Sequence, residues 1–125
     1  MPGVVGIGID LVDVDRFRAS LARTPSMRSR MFTDDERAYA ETASDPAERY
    51  AARFAAKEAV MKALGVGLGA FGFHDVEVRR EDGGRPSLHV AGAAAALAAE
   101  RGVVAWQISL THTATSAGAV VVALA

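Results

Sequence analysis

The chain has 125 residues, of which 50% are hydrophobic and 23% charged, and 14 basic against 15 acidic residues leave a net charge of −1. That balance describes one compact domain, residues 1–125, able to bury a core and carrying no overall positive field for nucleic acid. There are no cysteines, which excludes disulfides, thiolate metal sites and a cysteine nucleophile.

Met1-Pro2-Gly3-Val4 brings no basic leader to the first apolar stretch, and Asp10 interrupts that stretch. The apolar run Ala119 to Val122 is too short to cross a bilayer. The expectation is a cytoplasmic protein without a membrane partner. Val4 to Val12, β-branched and carrying Gly6 and Gly8, predicts a buried strand with Asp10 near its end. Val14, Phe17 and Leu21 recur at helical spacing and predict a short amphipathic helix from Asp13 to Ala22. Thr33-Asp34-Asp35-Glu36 has capping-box form and starts a helix toward Thr42. Asp45-Pro46-Ala47-Glu48 supplies an N-cap, a proline at the first helical position and an acid three residues after the cap. Helix formers then run to Leu64 and stop at Gly65, about five turns.

Beyond Gly65-Val66-Gly67-Leu68-Gly69 the period changes to two. Phe73 to Arg79 and Ser87 to Val90 read as strands joined through Asp82-Gly83-Gly84. Gly92 to Arg101 is an alanine-rich helix ended by Gly102, and Val104 to Thr111 and Ala117 to Leu124 are two further strands. Helices early and strands late predict an α+β fold, a long central helix packed on a mainly antiparallel sheet.

The central helix carries an anomaly. Ala51, Phe54, Glu58, Met61 and Gly65 form one stripe, and a carboxylate on a core-facing stripe needs a partner. Pairing with Lys62 one turn on is the simple structural reading, worth about 0.2–0.5 kcal/mol. Asp10 has its own simple reading as a cap of the helix that follows. Two carboxylates flanked by Arg53, Lys57 and Lys62 are also what a Mg²⁺–phosphate site requires, because the hard cation takes carboxylate oxygens and the bases hold the remaining phosphate charge. Gly6-Ile7-Gly8 lacks the third glycine of a dinucleotide fingerprint, and there is no Walker-type sequence. His74 and His89 read as surface or satisfied histidines, and His112, among hydroxyls, reads by itself as structural.

Gly6-Ile7-Gly8-Ile9-Asp10-Leu11-Val12, Arg53-Phe54-Ala55-Ala56-Lys57-Glu58-Ala59 with Lys62 following, and Ser109-Leu110-Thr111-His112-Thr113 resemble, in order and spacing, the three signatures of the 4′-phosphopantetheinyl transferase superfamily. Gly84-Arg85-Pro86 resembles its short bacterial branch, the holo-acyl-carrier-protein synthases, and the similarity runs from about Val4 to Val122. The resemblance implies transfer of 4′-phosphopantetheine from coenzyme A to a serine of an acyl carrier protein, of fatty-acid or polyketide type, releasing 3′,5′-ADP and requiring Mg²⁺. It implies Asp10 and Glu58 as metal ligands and Lys62 as a catalytic lysine near the pyrophosphate. It implies Arg53, Gly65, Pro86, Ser109, His112 and Thr113 as lining of the coenzyme A pocket.

Either Glu58 or a metal-bound water would take the serine proton. The branch is a homotrimer with sites between subunits, which would set Asp10 and His112 against Glu58 of a different copy and let mixed variants complement one another. An acidic carrier needs a local positive surface, and Arg16 and Arg23, two turns apart and away from Phe17 and Leu21, offer one. The residues alone also fit another Mg²⁺-dependent enzyme acting on a nucleotide pyrophosphate, or a non-catalytic module binding coenzyme A or carrier.

Overall fold

In the computed structural model, which describes residues 3–125, the chain runs β1 (Val4–Asp13), α1 (Val14–Arg23), α2 (Met27–Met31), α3 (Asp34–Glu41), α4 (Ala47–Ala63), a 3₁₀ turn (Phe73–Asp75), β2 (Val76–Arg80), β3 (Pro86–Val90), α5 (Gly92–Glu100), β4 (Ala105–His112) and β5 (Ser116–Leu124). Met1 and Pro2, the start of the segment read as lacking a leader, lie outside the described residues. The α+β expectation holds, with the strands divided between two sheets: β1-β5-β4, antiparallel throughout, and the β2–β3 hairpin. No helix among the described residues is long and apolar enough to cross a membrane.

Local chemistry sets the boundaries. Thr33 Oγ1 accepts from Glu36 N and Glu36 Oε1 accepts from Thr33 N, so the capping box at α3 is complete. Asp13, not Asp10, caps α1 by accepting from Arg16 N at 2.9 Å, which leaves Asp10 inside the strand. Pro46 stands at the N-cap of α4 without a side-chain bond, and Asp45 Oδ1 reaches Ala47 N only at 3.4 Å. The predicted strand Phe73–Arg79 loses its first three residues to the 3₁₀ turn, where Asp75 Oδ2 accepts from Gly72 N and Ala94 N. α2 has five residues and no side-chain cap, too little for any periodic signal.

The 17 residues of α4, about 26 Å of helix, lie against the three-stranded sheet. The approach is possible because β1 turns its glycines inward. A Cβ on Gly8 would lie 1.7 Å from the Ala59 carbonyl oxygen, and one on Gly6 would lie 1.9 Å from that of Ala63. The sequence expectation of a buried β1 is therefore corrected. With two-residue alternation, Gly6, Gly8, Asp10 and Val12 face the helix, while Ile7, Ile9 and Leu11 point outward and stay 61–72% exposed.

α4 is buried nearly all round, which removes any special meaning from its predicted apolar stripe. One side joins Ala55, Ala59 and Val60 to Val76, Val78 and Val121; the other joins Tyr50 and Ala51 to Val14, Phe17 and Phe32. The phenyl rings of Phe17 and Phe32 meet edge to face at 6.2 Å.

Gly8→Ala is expected to separate β1 from α4 and to cost on the order of 3 kcal/mol, the upper range for overpacking. Gly67→Ala, with open space around its added methyl and no positive φ, is expected to change little. Urea denaturation of both variants checks the pair, and equal midpoints would refute the close-contact account.

Candidate active site

The inward face of β1 brings Asp10 to the middle of α4, where Glu58 projects into the same groove. The groove encloses about 530 Å³ between Asp10, Glu58 and Phe54 on one side and Arg16, Phe17 and Met27 on the other. Lys62 does not close on Glu58, as the simple reading of the helix supposed. Its ammonium donates across to Asp10 Oδ1 at 3.1 Å and to the Ile9 carbonyl at 2.9 Å. Burial, and next the charge of Asp10, push the Glu58 carboxyl above the usual glutamate range, with Lys62 opposing. Both carboxylates belong to one chain, so the expectation that Asp10 faces Glu58 of a different copy is corrected: β1 and α4 of the same chain already pack backbone to backbone.

Two hard oxygen donors that repel each other are a fit for a divalent cation, which relieves the repulsion. No group of three or more His, Asp or Glu able to hold a metal occurs among the described residues. A pair of carboxylates is a donor set that Mg²⁺ could take, since that cation keeps several waters and draws further ligands from phosphate oxygens.

A second cavity, about 650 Å³, opens on another side of α4 and holds Arg53, Pro86 and His112 of the predicted residues. Five residues separate Arg53 from Glu58, about 140° round the helix. Arg49, Arg53 and Arg80 place their guanidinium carbons 4.1, 4.5 and 4.6 Å from the centre of the Tyr39 ring. Arg53 is only 4% exposed, and its Nε is a buried polar atom without a hydrogen-bond partner. Burial first, then repulsion from Arg49 and Arg80, pull its pKa down against Tyr39 and Glu36. Three crowded guanidiniums with an unsatisfied donor are a site for a polyanion. His112 Nδ1 stands 3.7 Å from Glu48 at the same cavity, apart from Glu58.

The other predicted residues fall elsewhere. Gly65 ends α4 at φ +69°. Thr113 Oγ1 accepts from Thr115 N and Ser116 N in the β4–β5 turn. Ser109 pairs with Val120, itself opposite Ile9, so it lies on the sheet face turned away from α4. Lys57, counted in the sequence among the bases of a phosphate patch, is fully buried and paired with Glu36. Of the residues sequence reasoning missed, Arg49 carried a signal, one turn before Arg53. Tyr39 and Arg80 arrive from α3 and β2, and no local pattern marks them.

Comparison with known proteins places these features in a family. The family model of the 4′-phosphopantetheinyl transferase superfamily matches residues 6–125. A holo-[acyl-carrier-protein] synthase of Frankia casuarinae is 54% identical over 120 residues, 96% of this chain and 97% of that relative. The holo-[acyl-carrier-protein] synthase of Neisseria meningitidis superposes with a TM-score of 0.87 at 30% identity, covering 96% of this chain and 98% of that one. A holo-(acyl-carrier-protein) synthase of Bacillus anthracis, solved in complex with CoA (3′,5′-ADP), superposes with a TM-score of 0.81 at 34% identity, covering 98% of each chain.

Because the folded state raises the Glu58 pKa, it holds the carboxyl proton more tightly than the unfolded chain does, so stability falls as pH rises through that raised pKa. Metal-free Glu58→Gln is expected to melt above the parent at neutral pH, with the difference vanishing below the ordinary glutamate pKa. Thermal melts across pH 4–8 check this; a parent that gains on the variant as pH rises contradicts the assignment.

Proposed function

Because the chain belongs to the 4′-phosphopantetheinyl transferase superfamily, as a phosphopantetheinyl transferase of the holo-[acyl-carrier-protein] synthase branch, we propose that it moves 4′-phosphopantetheine from coenzyme A to a serine of an apo-acyl carrier protein, releasing 3′,5′-ADP, with Mg²⁺. The whole chain acts as one domain, in the cytoplasm. The observation that carries the reading is the Asp10–Glu58 pair in its groove, with Glu58 on the helix that also borders an arginine-lined cavity. The coenzyme A complex of the Bacillus anthracis relative supports the choice of donor.

In this reading Asp10 and Glu58 hold the Mg²⁺, which when bound offsets charge on the pyrophosphate. Arg49, Arg53 and Arg80 take the phosphates at the nucleotide end, and Pro86 and His112 wall the same cavity. The serine oxygen bonds to the pantetheine-bearing phosphorus, and the bond from that phosphorus to the oxygen of the departing 3′,5′-ADP breaks. Lys62 stands beside Asp10 to offset charge on the leaving group. The serine proton passes to Glu58 or to a water beside it.

A homotrimer fits the outer face of the sheet. Ile7, Ile9 and Leu11 make an apolar surface there, and Ser109 lies on it, so a second copy covering this face would bring Ser109 into a shared pocket. Incubation with coenzyme A, Mg²⁺ and an apo-carrier is expected to add one phosphopantetheine by mass. Hydrolysis of coenzyme A without a carrier, or binding without turnover, would favour the alternative readings.

Asp10→Asn and Glu58→Gln are each expected to abolish transfer while keeping the fold, and mixing the two variants is expected to restore nothing, since each subunit then lacks one ligand of its own pair. Near-parental rates in either variant would remove that residue from the metal site, and restored activity would place the pair across subunits.

Carrier docking is assigned to α1. Arg16 borders the groove and Arg23 is exposed two turns on, whereas Arg18 is held by Asp15 and Asp45. Arg16→Glu with Arg23→Glu is expected to raise KM for the carrier severalfold and leave coenzyme A binding unchanged, and the parental carrier KM is expected to rise with salt. Steady-state kinetics at low salt decide it; unchanged carrier kinetics would move the docking surface elsewhere.

A further inference from the structure

Lys57 and Glu36 touch neither cavity, yet both side chains are completely enclosed. The Lys57 ammonium donates to Glu36 Oε1 at 2.8 Å, to the Phe73 carbonyl at 2.9 Å and to the Val76 carbonyl, which uses all three of its hydrogens. Glu36 Oε1 also accepts from Thr33 N at 3.0 Å, and its Oε2 accepts from Val78 N at 2.9 Å. One ion pair thus joins the start of α3, the middle of α4, the 3₁₀ turn and β2.

Stability does not explain such a pair. Removing two charges from water costs several kcal/mol per ion, and apolar residues of similar volume often serve as well or better. Direction is what it supplies. Beside it α4 presents Ala55, Ala56 and Ala59, whose small side chains make shallow ridges and resist rotation or sliding weakly. Hydrogen bonds with fixed partners resist both. Glu58 is the next residue, about 100° round the helix. Arg53 lies one turn earlier on the Lys57 side, and Arg80 follows Val78 by two residues on the strand that Glu36 grips.

We infer that the Lys57–Glu36 pair is a positioning device for the transfer reaction: it sets Glu58 against Asp10 and Arg53 against Arg80, the two groupings that would meet the phosphates of coenzyme A. The inference rests on the coenzyme A reading given above.

The test is the full-length double variant Glu36→Gln with Lys57→Met, which removes both charges at nearly constant volume. Expected are a lowered melting temperature, since the Phe73 and Val76 carbonyls lose their donor, with the fold kept at 25 °C and a carrier KM changed less than about twofold. kcat falls at least tenfold, since misplacement by about 1 Å costs up to 100-fold in rate. Mn²⁺ binding to the coenzyme A-loaded protein, titrated by electron paramagnetic resonance without carrier, weakens about fivefold or more. A folded variant with parental kcat and Mn²⁺ affinity would overturn the inference, as would a variant that does not fold, which would make the pair a folding determinant. A parent protein that binds coenzyme A and transfers nothing would overturn the transfer reading instead, and the Mn²⁺ titration of that loaded protein would still decide the role of the pair.

Discussion

Gly6 and Gly8 have no room for a side chain: the carbonyl oxygens of Ala63 and Ala59 occupy the space a Cβ would need. β1 and α4 therefore meet backbone to backbone, and much of the molecule follows from that contact. It fixes which side of β1 faces inward, and so it delivers Asp10 to Glu58 and the Ile9 carbonyl to Lys62. It also leaves the β-branched half of the strand on the outside. A residue with a side chain at either glycine would push the strand away and pull the two carboxylates apart.

α4 is the element on which both cavities depend. Glu58 lines the groove beside α1, Lys62 bonds to Asp10 across from it, and Arg53 lines the cavity beside Tyr39 and Arg80. A helix lined with alanine packs closely but grips poorly, and it compensates with a buried charge. The cost of burying the Lys57 ammonium is visible in its pKa, which burial lowers against the attraction of Glu36. Repulsive groupings of another kind mark the two candidate faces: two carboxylates in one, three guanidiniums in the other. Each is an unfavourable arrangement for the free protein and a favourable one for a ligand of opposite charge.

The outer face of the sheet completes the picture. Ile7, Ile9 and Leu11 lie beside Val120 and Ser109, an apolar surface of the kind a lone chain rarely leaves uncovered. A neighbouring copy seated there would cover Ser109, and assembly would then have a part in building the site.

The amino-acid sequence by itself determined the helices with marked ends and the late strands, because caps, prolines, glycines and periodicity are local signals. α3 with its capping box and α4 between Pro46 and Gly65 stand where the pattern placed them. The motif around Lys57-Glu58, with Asp10 far upstream, was enough to identify the family, since those residues keep their order in the chain. Tertiary structure alone decided which face of β1 is buried, because two glycines look like weak strand formers until a helix backbone lies against them. It decided that Asp13 caps α1 and that Lys62 turns to Asp10 rather than to Glu58, contacts that depend on where β1 sits. It also separated Lys57 from the neighbouring bases, since its burial depends on Glu36, 21 positions before it, and on Phe73 and Val76, 16 and 19 positions after it.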